Sequence, residues 1–305
     1  MTRPPSTGHG WASCSDCTSP VHPDDRFCET CGARRPDPRD RVELVADRLG
    51  AVSDRGVRHR HNEDAVGIRS VSDGGRGSAR ITVVCDGVSR GARPDLASQA
   101  AVDAALDVLV TGVEDPDTSS RAAVRAASSA VVRLSTRAPV DLPPACTFVS
   151  AVVVGRTATV ASVGDSRVYW LPRSEGGARP LTVDDSWRHE AVATGSLGEA
   201  AAARDRRRHA ITAWLGADAA PLDPRVTTVH LDAPGVLVAC TDGLWNRLRG
   251  PDDLAELVAS APDDPLAVAR RLVGEALDRA ELDNITAAVI DVPAPTTDTD
   301  LPEES

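Results

Sequence analysis

Lysine is missing from this chain: all 34 basic residues among its 305 are arginine. No lysine is therefore available as a Schiff-base former or a catalytic base. Aromatic residues make up only 3%, so the 41% hydrophobic content has to build its core mainly from Val, Leu, Ala and Ile. No run approaches the roughly 18 apolar residues of a membrane-spanning helix. The first ten residues lack the apolar stretch of a secretory signal. The expectation is a cytoplasmic protein with no membrane partner. A surplus of positive charge is also lacking. The net charge is −11, the opposite of what a phosphate backbone attracts, and nucleic acid is not an expected partner.

Cysteine is present in an odd number, seven, and four of these lie near the start as Cys14-Ser-Asp-Cys17 and Cys28-Glu-Thr-Cys31. Each pair places two thiolates on one turn, and two such turns close four sulfurs around one tetrahedral zinc ion. A site with four protein ligands has no open position for catalysis, so the zinc is structural. A unit this small has almost no core, and the metal supplies its folding energy. It resembles the zinc ribbons at the ends of many bacterial proteins, and a protein-docking role suits its mixed charge. The expected organisation is a disordered segment 1–10, a ribbon 11–33, a charged proline-bearing linker 34–43, a large domain 44–292 and a disordered acidic tail 293–305.

In the large domain, Ile81-Thr-Val-Val-Cys85 runs straight into Asp86-Gly87, which reads as a buried strand ending in a carboxylate. The glycine lets the backbone turn and leaves its carbonyl free for a ligand. A carboxylate beside a carbonyl is hard-oxygen chemistry suited to Mg or Mn. A second strand, Val236–Cys240, leads into Thr241-Asp242-Gly243. Asp283-Asn284 precedes a last strand, Ile285–Val292. Asp165 sits in a tight turn between strands, and Glu63-Asp64 closes a charged loop. Acids gathered at strand ends repel one another unless cations hold them. The remaining pattern gives a first strand from Leu44 to Ser53, helices Pro94–Val110 and Arg121–Thr136, more strands, a polar flap 184–208, and helices Asp252–Ala259 and Pro265–Ala280. Paired helices following strands exclude a simple βαβ repeat.

Five segments, Asn62-Glu63-Asp64-Ala65, Val84-Cys85-Asp86-Gly87, Ala161-Ser-Val-Gly-Asp165-Ser-Arg167, Cys240-Thr-Asp242-Gly243-Leu244 and Leu282-Asp283-Asn284-Ile-Thr286, stand in the order and approximate spacing of a known family. Together they resemble the metal-dependent serine/threonine protein phosphatases of type 2C, over roughly Asp47 to Val292. The resemblance implies a four-layer α-β-β-α sandwich with two central antiparallel sheets. It implies hydrolysis of phosphoserine or phosphothreonine by a water bridging two Mn2+ or Mg2+ ions, in opposition to a serine/threonine kinase. Asp86 would bridge the ions, the Gly87 carbonyl would bind one, and Asp242 and Asp283 would complete the other. Glu63 and Asp64 would act close by through metal-bound water, and Asp165 would serve a third, weaker site. Many members carry a phosphate-binding arginine four residues before the glutamate. Here that place is His59, and the role is assigned to the adjacent Arg58. Two further departures flank the site, Val88-Ser-Arg90 and Leu142-Pro-Pro-Ala-Cys146. Two alternatives stay open: a weak or inactive phosphatase fold that binds phosphoproteins, and a ribbon-centred docking scaffold.

Overall fold

The computed structural model describes residues 12–14, 16–22, 25, 27–34, 37–72, 78–88, 90–135, 142–173, 177–279 and 282–294. The segments expected to be disordered, 1–10 and nearly all of 293–305, and the glycine-rich turn at 73–77 lie outside these residues. A small N-terminal unit pairs β1 (Ala12–Ser13) with β2 (Pro20–Val21). The main body starts with β3 (Arg41–Ala46) and β4 (Leu49–Asp54), which form a hairpin. This corrects the single first strand expected over 44–53, and it brings the strand's start forward to Arg41. The turn is Asp47-Arg48, with Arg48 at φ 53. An arginine in the left-handed region carries no turn signal in sequence.

Next come β5 (Ala65–Ser72) and β6 (Ser78–Cys85), then helices α1 (Pro94–Thr111) and α2 (Pro116–Ser135). The chain continues through β7 (Ala145–Cys146), β8 (Phe148–Val154), β9 (Thr157–Val163), β10 (Arg167–Pro172) and β11 (Arg179–Pro180). The flap contributes α3 (Trp187–Ala193), α4 (Glu199–Ala202) and β12 (Leu215–Gly216). The remainder is β13 (Arg225–His230), β14 (Gly235–Cys240), α5 (Asp242–Trp245), α6 (Pro251–Ala259), α7 (Pro265–Asp278) and β15 (Ile285–Val292).

Two antiparallel sheets result, a six-stranded one in the order β11-β10-β14-β15-β4-β3 and a five-stranded one in the order β13-β9-β8-β6-β5. They pack face to face through Leu49, Val84, Val149, Val160, Trp170 and Leu237. Ala97, Ala101 and Ala105 of α1, with Val124 and Ala127 of α2, cover the outer face of the five-stranded sheet. Leu254 of α6 and Leu272 of α7 cover the other outer face. This is the expected α-β-β-α sandwich. Small side chains let the layers approach closely: a Cβ on Gly67 would lie 2.4 Å from Leu106 Cδ1. With so few aromatics, the core fills by close approach rather than by bulk.

Candidate metal centres and active site

Register brings the acids to one end of the sandwich. Ala65 pairs with Cys85, so Asp64 and Asp86 sit just beyond the same end of β5 and β6. Cys240 pairs with Ala287, which places Asp242 and Asp283 beyond the matching end of β14 and β15. A hydroxyl network then joins the two sheets. Thr241 Oγ1 and Thr286 Oγ1 both donate to Asp64 Oδ2, at 2.9 and 2.7 Å. The Thr286 amide donates to Thr241 Oγ1 at 3.0 Å, and Ser53 Oγ lies 2.8 Å from Thr286 Oγ1. Asn62 Nδ2 donates to Ser53 Oγ at 2.9 Å. Asp64 Oδ1, also buried, has no hydrogen-bond partner.

Burial raises the Asp64 carboxyl to about 8, against the two hydroxyl donors and with help from the charges of Asp283 and Asp242. Asp86 is pushed well above the ordinary carboxylate range, first by burial and then by Asp64, Asp242, Asp283 and Asp165. Asp165 rises as well, through burial and the charges of Asp242 and Asp184, with Arg167 opposing. Five acids thus share one electrostatic site. Among the described residues, however, Asp86, Asp242 and Asp283 do not close to within 4.8 Å of one another as the four N-terminal thiols do. Carboxylates repel at such range, and a cation between them offsets that repulsion. The donor set is all oxygen, with one buried carboxylate oxygen left without a partner. It fits hard divalent ions.

The backbone around these acids is fixed by close approach. Gly87 was expected to serve a sharp turn. In fact its amide donates to the Glu63 carbonyl at 3.2 Å, and a Cβ there would lie 2.6 Å from Pro94 O and 2.7 Å from Glu63 O. Asp242-Gly243 is no turn either. It opens α5, and a Cβ on Gly243 would sit 2.0 Å from the Asn284 carbonyl. Asn284, which the sequence marks with no role, holds the Asn-Glu-Asp loop. Its Oδ1 accepts from the Glu63 amide at 2.8 Å, and its Nδ2 donates to the carbonyls of Arg55 (2.7 Å) and His61 (3.2 Å). The signal available in sequence was an amide side chain just before a buried strand, a type suited to bridging backbone groups.

Arg58 is exposed, and its amide donates to Leu282 O at 3.2 Å. The side chain that turns to the acids is His59, with Nε2 3.2 Å from Asp283 Oδ1 and Nδ1 3.7 Å from Glu63 Oε2. Arg167 pairs with Asp184 at 2.6 Å and stacks 3.5 Å over the Trp245 ring, whose Nε1 donates to the Asp165 carbonyl at 3.0 Å. A groove of about 700 Å³ opens there, lined by Arg167, Asp184, Arg188, His189, Trp245 and Asn246. The two departing segments meet: Val88 N donates to Ala145 O at 2.9 Å, and just past the first segment Ala92 N donates to Leu142 O at 3.0 Å. Ser89 lies outside the described residues. Cys85 and Cys240 are fully buried core residues, while His189, His209 and His230 are exposed.

In the N-terminal unit, Cys14 Sγ and Cys31 Sγ are 3.6 Å apart, and Cys17 Sγ and Cys28 Sγ are 3.5 Å apart. All four lie within 4.8 Å of one another. Zinc–sulfur bonds of about 2.3 Å place tetrahedral thiolates about 3.8 Å apart, so the cluster fits one ion. The two knuckles are alike. Thr18 N donates to Cys14 O at 3.0 Å and Gly32 N to Cys28 O at 2.8 Å, with Thr18 and Gly32 both at positive φ. The segment that follows is tied to the main body. Asp40 accepts from Arg34 at 2.5 Å and lies 3.3 Å from Arg55, while Arg39 donates to the Asp95 carbonyl at 3.1 Å.

Similarity to known proteins covers most of the chain. The family described as protein phosphatase 2C matches residues 55–264. The serine/threonine phosphatase stp of Listeria welshimeri is 27% identical over 246 residues, covering 78% of this chain and 93% of that protein. The serine/threonine protein phosphatase PstP of Mycobacterium tuberculosis is 30% identical over 256 residues, covering 83% of this chain and 46% of that longer protein. The crystal structure of the PstP catalytic domain in complex with two manganese ions superposes with a TM-score of 0.65 at 26% identity, over 81% of this chain and 98% of that one.

Proposed function

The chain belongs to the protein phosphatase 2C family and is a metal-dependent protein serine/threonine phosphatase, and from that premise we propose which of its residues do the work. The observation that carries the assignment is the buried Asp64, two hydroxyls on one oxygen and no partner on the other, beside Asp86, Asp242, Asp283 and Asp165. We assign two Mn2+ or Mg2+ ions to Asp86, the Gly87 carbonyl, Asp242 and Asp283, and a third, weaker position to Asp165. Such ions, when bound, lower the pKa of water towards neutrality and neutralise phosphoryl oxygens. Asp64 and Glu63 accept hydrogen bonds and orient the attacking water. Thr241 and Thr286 donate to Asp64 Oδ2, which favours the ionised carboxylate against its burial and aims it. Arg58, exposed at the rim, reaches the phosphate of the incoming phosphoserine or phosphothreonine. The flanking residues of the substrate lie in the groove beside Arg167 and Trp245.

Cys14, Cys17, Cys28 and Cys31 hold one structural zinc ion, and the ribbon docks a protein partner. The substrates are phosphoproteins made by a serine/threonine kinase. Among the described residues no helix is long and apolar enough to cross a membrane. The cluster of free thiols suits a reducing, cytoplasmic setting. Release of phosphate from a phosphothreonine peptide tests the assignment. Turnover is expected with Mn2+, to be lost on chelation and in Asp86→Asn. A wild-type protein without Mn-dependent turnover would overturn it.

A further inference from the structure

We propose that His59 is itself a metal ligand, its Nδ1 joining the Glu63 carboxylate on one divalent cation while Asp283 orients the ring, so that Glu63 meets a metal directly and not only through water as assigned above. The proposal rests on the metal-dependent reading above. His59 is the one imidazole among the described residues that lies within ion-pair range of two of the site acids. Its loop is wedged in place. A Cβ on Gly56 would lie 2.0 Å from the Asp283 carbonyl, Arg58 N bonds to Leu282 O, and the His59 carbonyl accepts from Arg55. The backbone that carries the ring is therefore held beside the acids.

The two ring nitrogens are unequally placed. Nε2 is 3.2 Å from Asp283 Oδ1, within donor reach. Nδ1 is 3.7 Å from Glu63 Oε2, beyond an ordinary hydrogen bond. If Nε2 carries the proton towards Asp283, Nδ1 presents its lone pair towards a carboxylate oxygen. Two lone pairs facing across that gap repel, and a cation between them reverses the sign. Metal bonds of about 2.1 Å to nitrogen and to oxygen span up to about 4.2 Å, so the gap admits one ion. A carboxylate that accepts from the far nitrogen is the usual companion of a metal-bound histidine. A nitrogen donor in an otherwise oxygen-only site also favours transition ions over Mg2+, because Mg2+ is held by carboxylate, carbonyl and water.

The test is pulsed EPR of the full-length protein loaded with Mn2+, with calorimetric titration of Mn2+ and Mg2+. One imidazole 14N coupling is expected in the wild type and none in His59→Ala. Mn2+ affinity should fall tenfold or more in that variant, while Mg2+ affinity moves less. His59→Asn keeps a donor for Asp283 without an imidazole and should lose the coupling in the same way, which separates ligation from a folding defect. Stoichiometric Mn2+ binding with no nitrogen coupling in the wild type, or a coupling that survives both substitutions, overturns the ligand role and leaves the phosphatase reading standing. Full Mn2+ affinity in His59→Arg together with a lower KM for phosphopeptide also overturns it, by making the residue a phosphate clamp. Failure of the wild type to bind Mn2+ at all removes the ligand role and the metal-dependent reading together, and calorimetry alone identifies that case.

Discussion

Replacing Asn284 by alanine should uncouple the Asn-Glu-Asp loop from the last strand. Asn284 is 3% exposed and makes three hydrogen bonds to backbone, at 2.8, 2.7 and 3.2 Å. Each is worth about 1 kcal/mol net, and a backbone group left buried without a partner costs more. The sum is about 3 kcal/mol, which is a large part of the 5–15 kcal/mol that about describes a whole domain's stability. In urea unfolding the midpoint should drop without a change in slope, with the folding constant reduced by about two orders of magnitude. Because the freed segment carries Glu63 and Asp64, Mn2+ affinity should fall as well. Asn284→Asp is the sharper control. It keeps an acceptor for the Glu63 amide but sets a carboxylate against the carbonyls of Arg55 and His61, and it should be at least as damaging. An unchanged urea midpoint in the alanine variant would refute the energetic argument. A lowered midpoint with intact Mn2+ affinity would refute the positional one.

The metal-free protein should lose stability as pH rises from about 4 towards 8. Asp64 is raised in the folded state to about 8, above an unfolded value of about 3.9. The folded state therefore binds the extra proton across that window, and stability is greatest at its acid end. Burial drives Asp86 and Asp165 the same way, and saturating Mn2+ should flatten the slope; thermal melts with and without EDTA read both. Gly87→Ala places a methyl carbon within 2.7 Å of two backbone carbonyl oxygens, so a loss of about 1–3 kcal/mol is expected, with weaker Mn2+ binding by calorimetry. Removing zinc with a chelator that spares the acid site should abolish order around Cys14–Cys31 while the sandwich melts as before; amide hydrogen exchange resolves the two.

The acids were legible because each stands at the edge of an apolar run, and that pairing of signals survives in a single sequence. The sandwich was legible for a related reason: helices occur in pairs between groups of strands. The support beneath the acids was not. Thr241, Thr286 and Ser53 meet Asp64 or each other across 177, 222 and 233 positions of chain, and nothing local marks a threonine for that. The β3–β4 hairpin hid behind an arginine in a glycine-like conformation. Asp242-Gly243 and Asp86-Gly87 look alike in sequence, yet the first opens a helix while Gly87 bridges to Cys146. What separates them is Asn284, whose carbonyl crowds Gly243 from the far end of the chain. Whether Arg58 or His59 faces the acids depends on the path of a loop wedged against Asp283, and neighbouring residues in a loop have no fixed alternation from which to read it.

The segment between ribbon and sandwich carries its own consequence. Asp40 reaches Arg55, and Arg39 reaches Asp95 at the start of α1, so the ribbon is rooted beside the loop that carries Glu63. A phosphoprotein gripped by the ribbon would no longer meet the carboxylates by free diffusion. It would be held on a short leash, at an effective concentration in the millimolar range. Weak contacts in the catalytic groove would then be enough, and the choice of substrate would pass from the hydrolytic centre to the four-cysteine unit.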